Sequence, residues 1–145
     1  RGNRAKVRLT VNRVRQCMQE QNFPDDRRYT AEHIWIKPED EGFLIGITDY
    51  AQSQLGEICF VDLPGAGASF QAKQEFGTIE SVKSVNALYM PIAATVVEMN
   101  AALEDEPTIV NASPYAEGWL LRVRADDPSV VSGLLSAEQY KSSLN

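Results

Sequence analysis

The stretch Glu75-Phe76-Gly77-Thr78-Ile79-Glu80-Ser81-Val82-Lys83-Ser84-Val85 decides how this chain is read. Glu75–Ile79 is strand-like. Glu80–Val85 is a short polar segment with one lysine in its middle, and the apolar runs Tyr89–Ile92 and Thr95–Val97 follow. This order predicts Lys83 at the tip of a β-turn. A lysine there holds its whole flexible stem free in solvent. Such a display suits a covalently attached swinging arm and does not suit a buried ion pair.

Working outward, strand-sized apolar runs recur at regular intervals. They are His33–Ile36, Gly42–Ile47, Ile58–Leu63, Glu75–Ile79, Ala94–Met99 and Trp119–Arg124. Lys37–Gly42 and Pro64-Gly65-Ala66-Gly67 supply turn chemistry between them. Many short strands with this punctuation predict a mainly β sandwich or barrel. Short helices are expected at its periphery. Asp49 is placed to cap Tyr50–Leu55, with Gly56 ending it. Asp127 and Pro128 open a helical segment over Ser129–Leu135. Ser136 and Gln139 have capping-box spacing ahead of Tyr140-Lys141.

The chain of 145 residues is long enough to bury one core without disulfides or metals. It has no apolar run of membrane-spanning length and no visible secretory signal. Cys17 and Cys59 are far apart and form no C-x-x-C, which points to a reducing, cytoplasmic setting. Cys59, in Ile58-Cys59-Phe60-Val61, reads as a small core hydrophobe.

Charge is uneven. Residues 1–22 carry Arg1, Arg4, Lys6, Arg8, Arg13 and Arg15 against Glu20, a balance of +5; with −6 for the whole chain, −11 falls on the remainder. An acidic body repels phosphates and excludes nucleic acid as its partner; it suits basic patches on proteins. Val7, Val11, Val14 and Met18 share one helical face, so residues 1–23 read as a basic helical extension. A start-site remnant, an organellar presequence, a membrane-surface helix and a helix packed on the domain all match that pattern, and packing is the expectation. Pro24-Asp25-Asp26-Arg27-Arg28 reads as a polar hinge to the main domain, 24–145.

No nucleophile–base set stands out. His33 is the only histidine, which excludes a multi-histidine metal site. Gly65-x-Gly67 is a turn and not a phosphate cradle. Glu104-Asp105-Glu106 reads as a solvated loop. The expectation is a carrier without catalytic activity of its own.

Several further motifs fall in order: Tyr29-Thr30-Ala31-Glu32-His33, Gly46–Gln52, Leu55–Ile58, Phe60–Pro64, Phe76–Lys83, Val96–Asn100, Ala102-Leu103-Glu104, Val110-Asn111, Ser113-Pro114-Tyr115 and Gly118-Trp119-Leu120. Together they make residues 29–145 resemble the glycine-cleavage H proteins and their H-like relatives. The resemblance implies a barrel-sandwich hybrid fold with lipoic acid attached covalently to Lys83 by a lipoate-protein ligase or by lipoyl synthesis enzymes. The cofactor and partner enzymes supply the chemistry; the carrier supplies presentation and a sheltering groove.

The resemblance also implies two acids lining that groove, one between the opening histidine and tryptophan and one four residues after the lysine. Here those positions are Ile34 and Ala87. Losing both carboxylates would remove charge-assisted bonds to an ammonium, each worth roughly 1.5–3 kcal/mol. Glu32, beside His33, compensates in part if it turns inward. Ala94 replaces a glycine usual in the family and needs an ordinary φ. These departures resemble the H-like lipoate-binding proteins of bacterial sulfur oxidation. The first expectation is therefore a carrier serving a heterodisulfide-reductase-like complex. The alternative is a glycine-cleavage H protein that carries an aminomethyl group among glycine decarboxylase, aminomethyltransferase and dihydrolipoyl dehydrogenase. A third is an unlipoylated structural or regulatory relative.

Overall fold

The structure, a computed structural model, describes residues 23–39 and 42–144. The helical face of Val7, Val11, Val14 and Met18, and Cys17, lie outside the described residues.

Two antiparallel sheets form the body. The larger runs β1 (Arg28–Tyr29), β2 (Ile34–Glu39), β3 (Gly42–Ile47), β9 (Leu121–Ala125), β8 (Ala94–Met99), β5 (Ser69–Phe70) in spatial order. The smaller runs β4 (Ile58–Asp62), β6 (Glu75–Ser81), β7 (Val85–Tyr89). The apolar sides of the sheets meet in one core that includes Ile36, Ile45, Ile79, Leu88, Val96 and Leu120.

The run Ile34-Trp35-Ile36 is buried throughout because β2 is covered on both faces. Ile34 and Ile36 enter the main core. Trp35 points the other way, into a second cluster with Tyr29 and Tyr140. Tyr140 belongs to the C-terminal helix α4 (Ala137–Ser143), which opens with the expected Ser136–Gln139 capping box. Its ring stacks on Tyr29 at 4.9 Å, and burial pushes its hydroxyl pKa up to about 12.

Three local expectations are corrected. Cys59 is exposed, because β4 carries a bulge between Ile58 and Phe60 that turns two successive side chains outward. The segment 24–28 is not a free hinge. Arg27 is buried, its guanidinium lying 4.7 Å from the Trp35 ring and 5.2 Å from that of Tyr115 while it donates to the Tyr115 carbonyl. Helix α1 (Asp49–Leu55) is capped by Thr48, whose Oγ1 accepts from the Ala51 amide; Asp49 sits in the first turn. The stop at Gly56 is as expected, with φ 81°. Trp119 is half-buried, and Ala94 starts β8 fully buried without a positive φ.

Two short helices, α2 (Ala102–Asp105) and α3 (Ile109–Ala112), lie between β8 and β9. No helix among the described residues is long and apolar enough to cross a membrane.

Candidate functional site

The β6–β7 turn is held from both sides. The Ser81 amide donates to the Ser84 carbonyl at 2.8 Å, and Ser81 Oγ accepts from the amides of Lys83 and Ser84, both at 3.2 Å. The Val82 amide donates to the Glu57 carbonyl. A turn pinned by four such bonds presents Lys83 from a rigid base. The side chain is exposed and makes no ion pair among the described residues. Its stem passes over Gly56, where an added Cβ would stand 3.3 Å from Cε. Glycine is needed there twice, for the left-handed φ and for that clearance.

Asn111 was quoted in a motif but given no role by sequence reasoning. Its Nδ2 donates to the Gly56 carbonyl and to Gln52 Oε1, and its Oδ1 accepts from the Ile58 amide. One side chain from α3 thus ties the end of α1 to the start of β4, the segment that carries Glu57 against the turn.

Beside the turn, α1 and β7 bound a groove of about 250 Å³. Its apolar lining is Ile47, Ala51, Leu55, Ile79 and Leu88; its polar lining is Glu32, His33, Tyr50, Gln54 and Asn86, with Ala87 at the edge strand. Of the expected groove residues, Glu32, His33 and Ala87 are brought together here. Ile34 is not. It is 1% exposed, pairs with Ile47 and belongs to the main core. Ala87 pairs with Thr78, whereas Asn86 pairs with Ile79 and shares its side of the sheet. Asn86 is therefore the β7 side chain aimed with the groove lining. Strand alternation counted back from the apolar Leu88 would have found it. Tyr50, Ala51 and Gln54 share one face of α1 and were legible in the same way.

His33 adopts a left-handed φ of 70°. Its Nδ1 lies 2.7 Å from the Tyr140 hydroxyl, which lies 2.8 Å from Thr48 Oγ1. Thr48 Oγ1 also accepts from the Ala51 amide, so the three side chains form one hydrogen-bonded chain that fixes the His33 ring against the C-terminal helix. Burial lowers the His33 pKa, and nearby Glu32 opposes that shift. An imidazole kept neutral by burial and one carboxylate are thus among the groove's polar groups.

A β-sandwich displays a single lysine on a braced turn beside a part-apolar groove. The comparisons specify the family. The profile of the glycine cleavage H-protein family matches residues 27–145. The glycine cleavage system H protein of Geobacillus kaustophilus is 52% identical over 124 residues, covering 86% of this chain and 98% of that protein. That of Bacillus subtilis is 50% identical over 120 residues, covering 83% and 94%. The crystal structure of an H protein from Mycobacterium marinum superposes with a TM-score of 0.77 at 37% identity, covering 83% of this chain and 98% of that one. The chain belongs to the glycine cleavage H-protein family, and its fold is the barrel-sandwich hybrid of that family.

Proposed function

We propose that this protein is the lipoyl carrier of a glycine cleavage system, with lipoate attached to Lys83 Nζ. The observation that carries the reading is the exposed, unpaired lysine on a braced turn beside the groove, in a chain about half identical to named H proteins. The residues fit the cofactor: a free primary amine for the amide link, and an apolar-floored groove for an aliphatic arm. Lipoate, when attached, supplies a dithiolane that accepts and hands on the one-carbon amine derived from glycine. The protein's part is to aim the arm, shelter its end and release it. Glycine decarboxylase, aminomethyltransferase and dihydrolipoyl dehydrogenase are the partners of this reading, and residues 24–145 carry it.

The sulfur-oxidation expectation rested chiefly on Ile34 and Ala87, with Ala94 and the N-terminal extension beside them. Ile34 packs in the core, and Ala87 lies in register with Thr78 on the side of the sheet away from Ile79. Neither substitution empties the groove of charge, because Glu32 lines it. Glu32, which lines the groove, is the counter-ion for the arm's ammonium.

The test is intact mass and turnover. Expression with a lipoate-protein ligase should give one lipoyl adduct, lost in Lys83→Arg, and the modified protein should support glycine decarboxylation. Glu32→Gln should lower retention of the loaded group without affecting attachment. An adduct on Lys73 or Lys141, or a modified protein inert with glycine decarboxylase, would overturn the reading.

A further inference from the structure

The outer face of the small sheet is open, and its register shows what it presents. Phe60, Glu80 and Val85 stand side by side across β4, β6 and β7, and the next row is Asp62, Thr78 and Ala87. Glu75 and Tyr89 form a further pair. Directly paired residues of an antiparallel ladder project to one side, so these side chains share a surface. Phe60 is 54% exposed and Val85 61%. Both edges of this sheet, β4 and β7, are unpaired among the described residues.

Isolated exposed apolar residues are ordinary, but here Phe60 and Val85 stand on either side of Glu80 in one row, with Asp62 and Glu75 in the neighbouring rows. The three strands contain no lysine or arginine. Asp62, Glu75 and Glu80 make no ion pair among the described residues, whereas Glu39 and Glu98 on the large sheet are matched by Lys37 and Arg122. The large sheet neutralises its acids within the chain; the small sheet leaves its own unmatched. The first row also begins at Val85, two residues from Lys83. Anything that receives the arm approaches over it.

We propose that the outer face of β4, β6 and β7 is the docking face for the enzyme that loads the arm, a partner offering an apolar socket for Phe60 and Val85 rimmed by lysine or arginine. This rests on the carrier function proposed above. Phe60 and Val85 supply the anchor; Asp62 and Glu75 supply attraction and orientation. The turn is left free at the border of the contact, so the arm swings while the sheet stays seated.

The probe is glycine decarboxylase, with the lipoylated full chain as varied substrate. Phe60→Ser with Val85→Ser should raise the KM for the carrier about tenfold with kcat nearly unchanged, as expected on losing two interface anchors. Asp62→Asn with Glu75→Gln should raise KM less and flatten its dependence on salt. Val97→Ser, an exposed valine on the large sheet, should change neither. Mass confirms equal lipoylation and circular dichroism an unchanged fold. An unchanged KM in the double serine variant, with the wild type turning over normally, sinks the docking face and spares the carrier reading. Concentration-dependent self-association that the serine changes abolish would give the face to a second copy instead, which also overturns the proposal. A lipoylated wild type that does not turn over sinks the carrier reading and this inference with it.

Discussion

At the scale of single residues, the site depends on small groups in exact backbone roles. Ser81 Oγ accepts from two amides of the turn. Ser81→Ala should cost about 1–2 kcal/mol, because two amides then lose a partner at the turn. The rate of lipoate attachment should fall as well, since Lys83 loses its fixed base; urea denaturation and a lipoylation time course read the two effects. His33 gives a pH prediction. Its folded pKa is depressed by burial, so between that value and the ordinary one near 6.5 the unfolded chain binds more protons than the folded one. Stability therefore falls as pH drops below about 6.5, and the loss is complete once pH passes the folded value. His33→Asn keeps a residue tolerant of positive φ and should remove that component of the pH–stability curve. A curve identical to wild type would place the titration elsewhere.

At the scale of elements, the sheet–helix joints matter more than any one strand. Asn111 ties α1 to β4, and Glu57, between those two elements, holds the lysine turn. Asn111→Ala leaves an amide and a carbonyl without partners and should destabilise by about 1–3 kcal/mol. Amide exchange should quicken first at Ile58 and Val82, before any global opening. Gly77 shows the tightness of the small sheet: a Cβ there would lie 2.2 Å from the Asp62 carbonyl oxygen. Backbone cannot yield as a flexible side chain can. Gly77→Ala should therefore disrupt the β4–β6 ladder and lower the melting temperature, whereas Gly56→Ala, whose Cβ meets only the flexible Lys83 stem, should be destabilising through its positive φ alone.

At the scale of the whole molecule, two clusters on opposite sides of the large sheet hold the carrier together. Leu120 is fully buried in the main one, and Leu120→Ala should cost roughly 2–5 kcal/mol in equilibrium unfolding. The second cluster joins the chain's ends: Phe23 meets Tyr140 edge-on at 5.5 Å, and Arg27 binds the Tyr115 carbonyl. A chain starting at Phe23 keeps these contacts and, on the proposed function, should accept lipoate on Lys83 to the same extent as the whole chain in a lipoylation time course. Removing residues 23–28 as well should lower stability sharply, because Trp35 and Tyr140 lose their covers.

Lys83 on its turn, the Gly56 stop and the Ser136 capping box were legible in the sequence, because each depends on a few adjacent residues and on backbone rules that neighbours set. Membership of the H-protein family was legible in the order of the motifs. Tertiary structure decided which way side chains face. The bulge in β4 turned Cys59 and Phe60 outward, and a register shift of one residue reverses every side chain beyond it. The covering of β2 on both faces put Ile34 in the core and left Glu32 to line the groove. The bond between His33 and Tyr140 joins residues 107 apart in sequence. No local pattern encodes such contacts, since they exist only once two sheets and a terminal helix have packed.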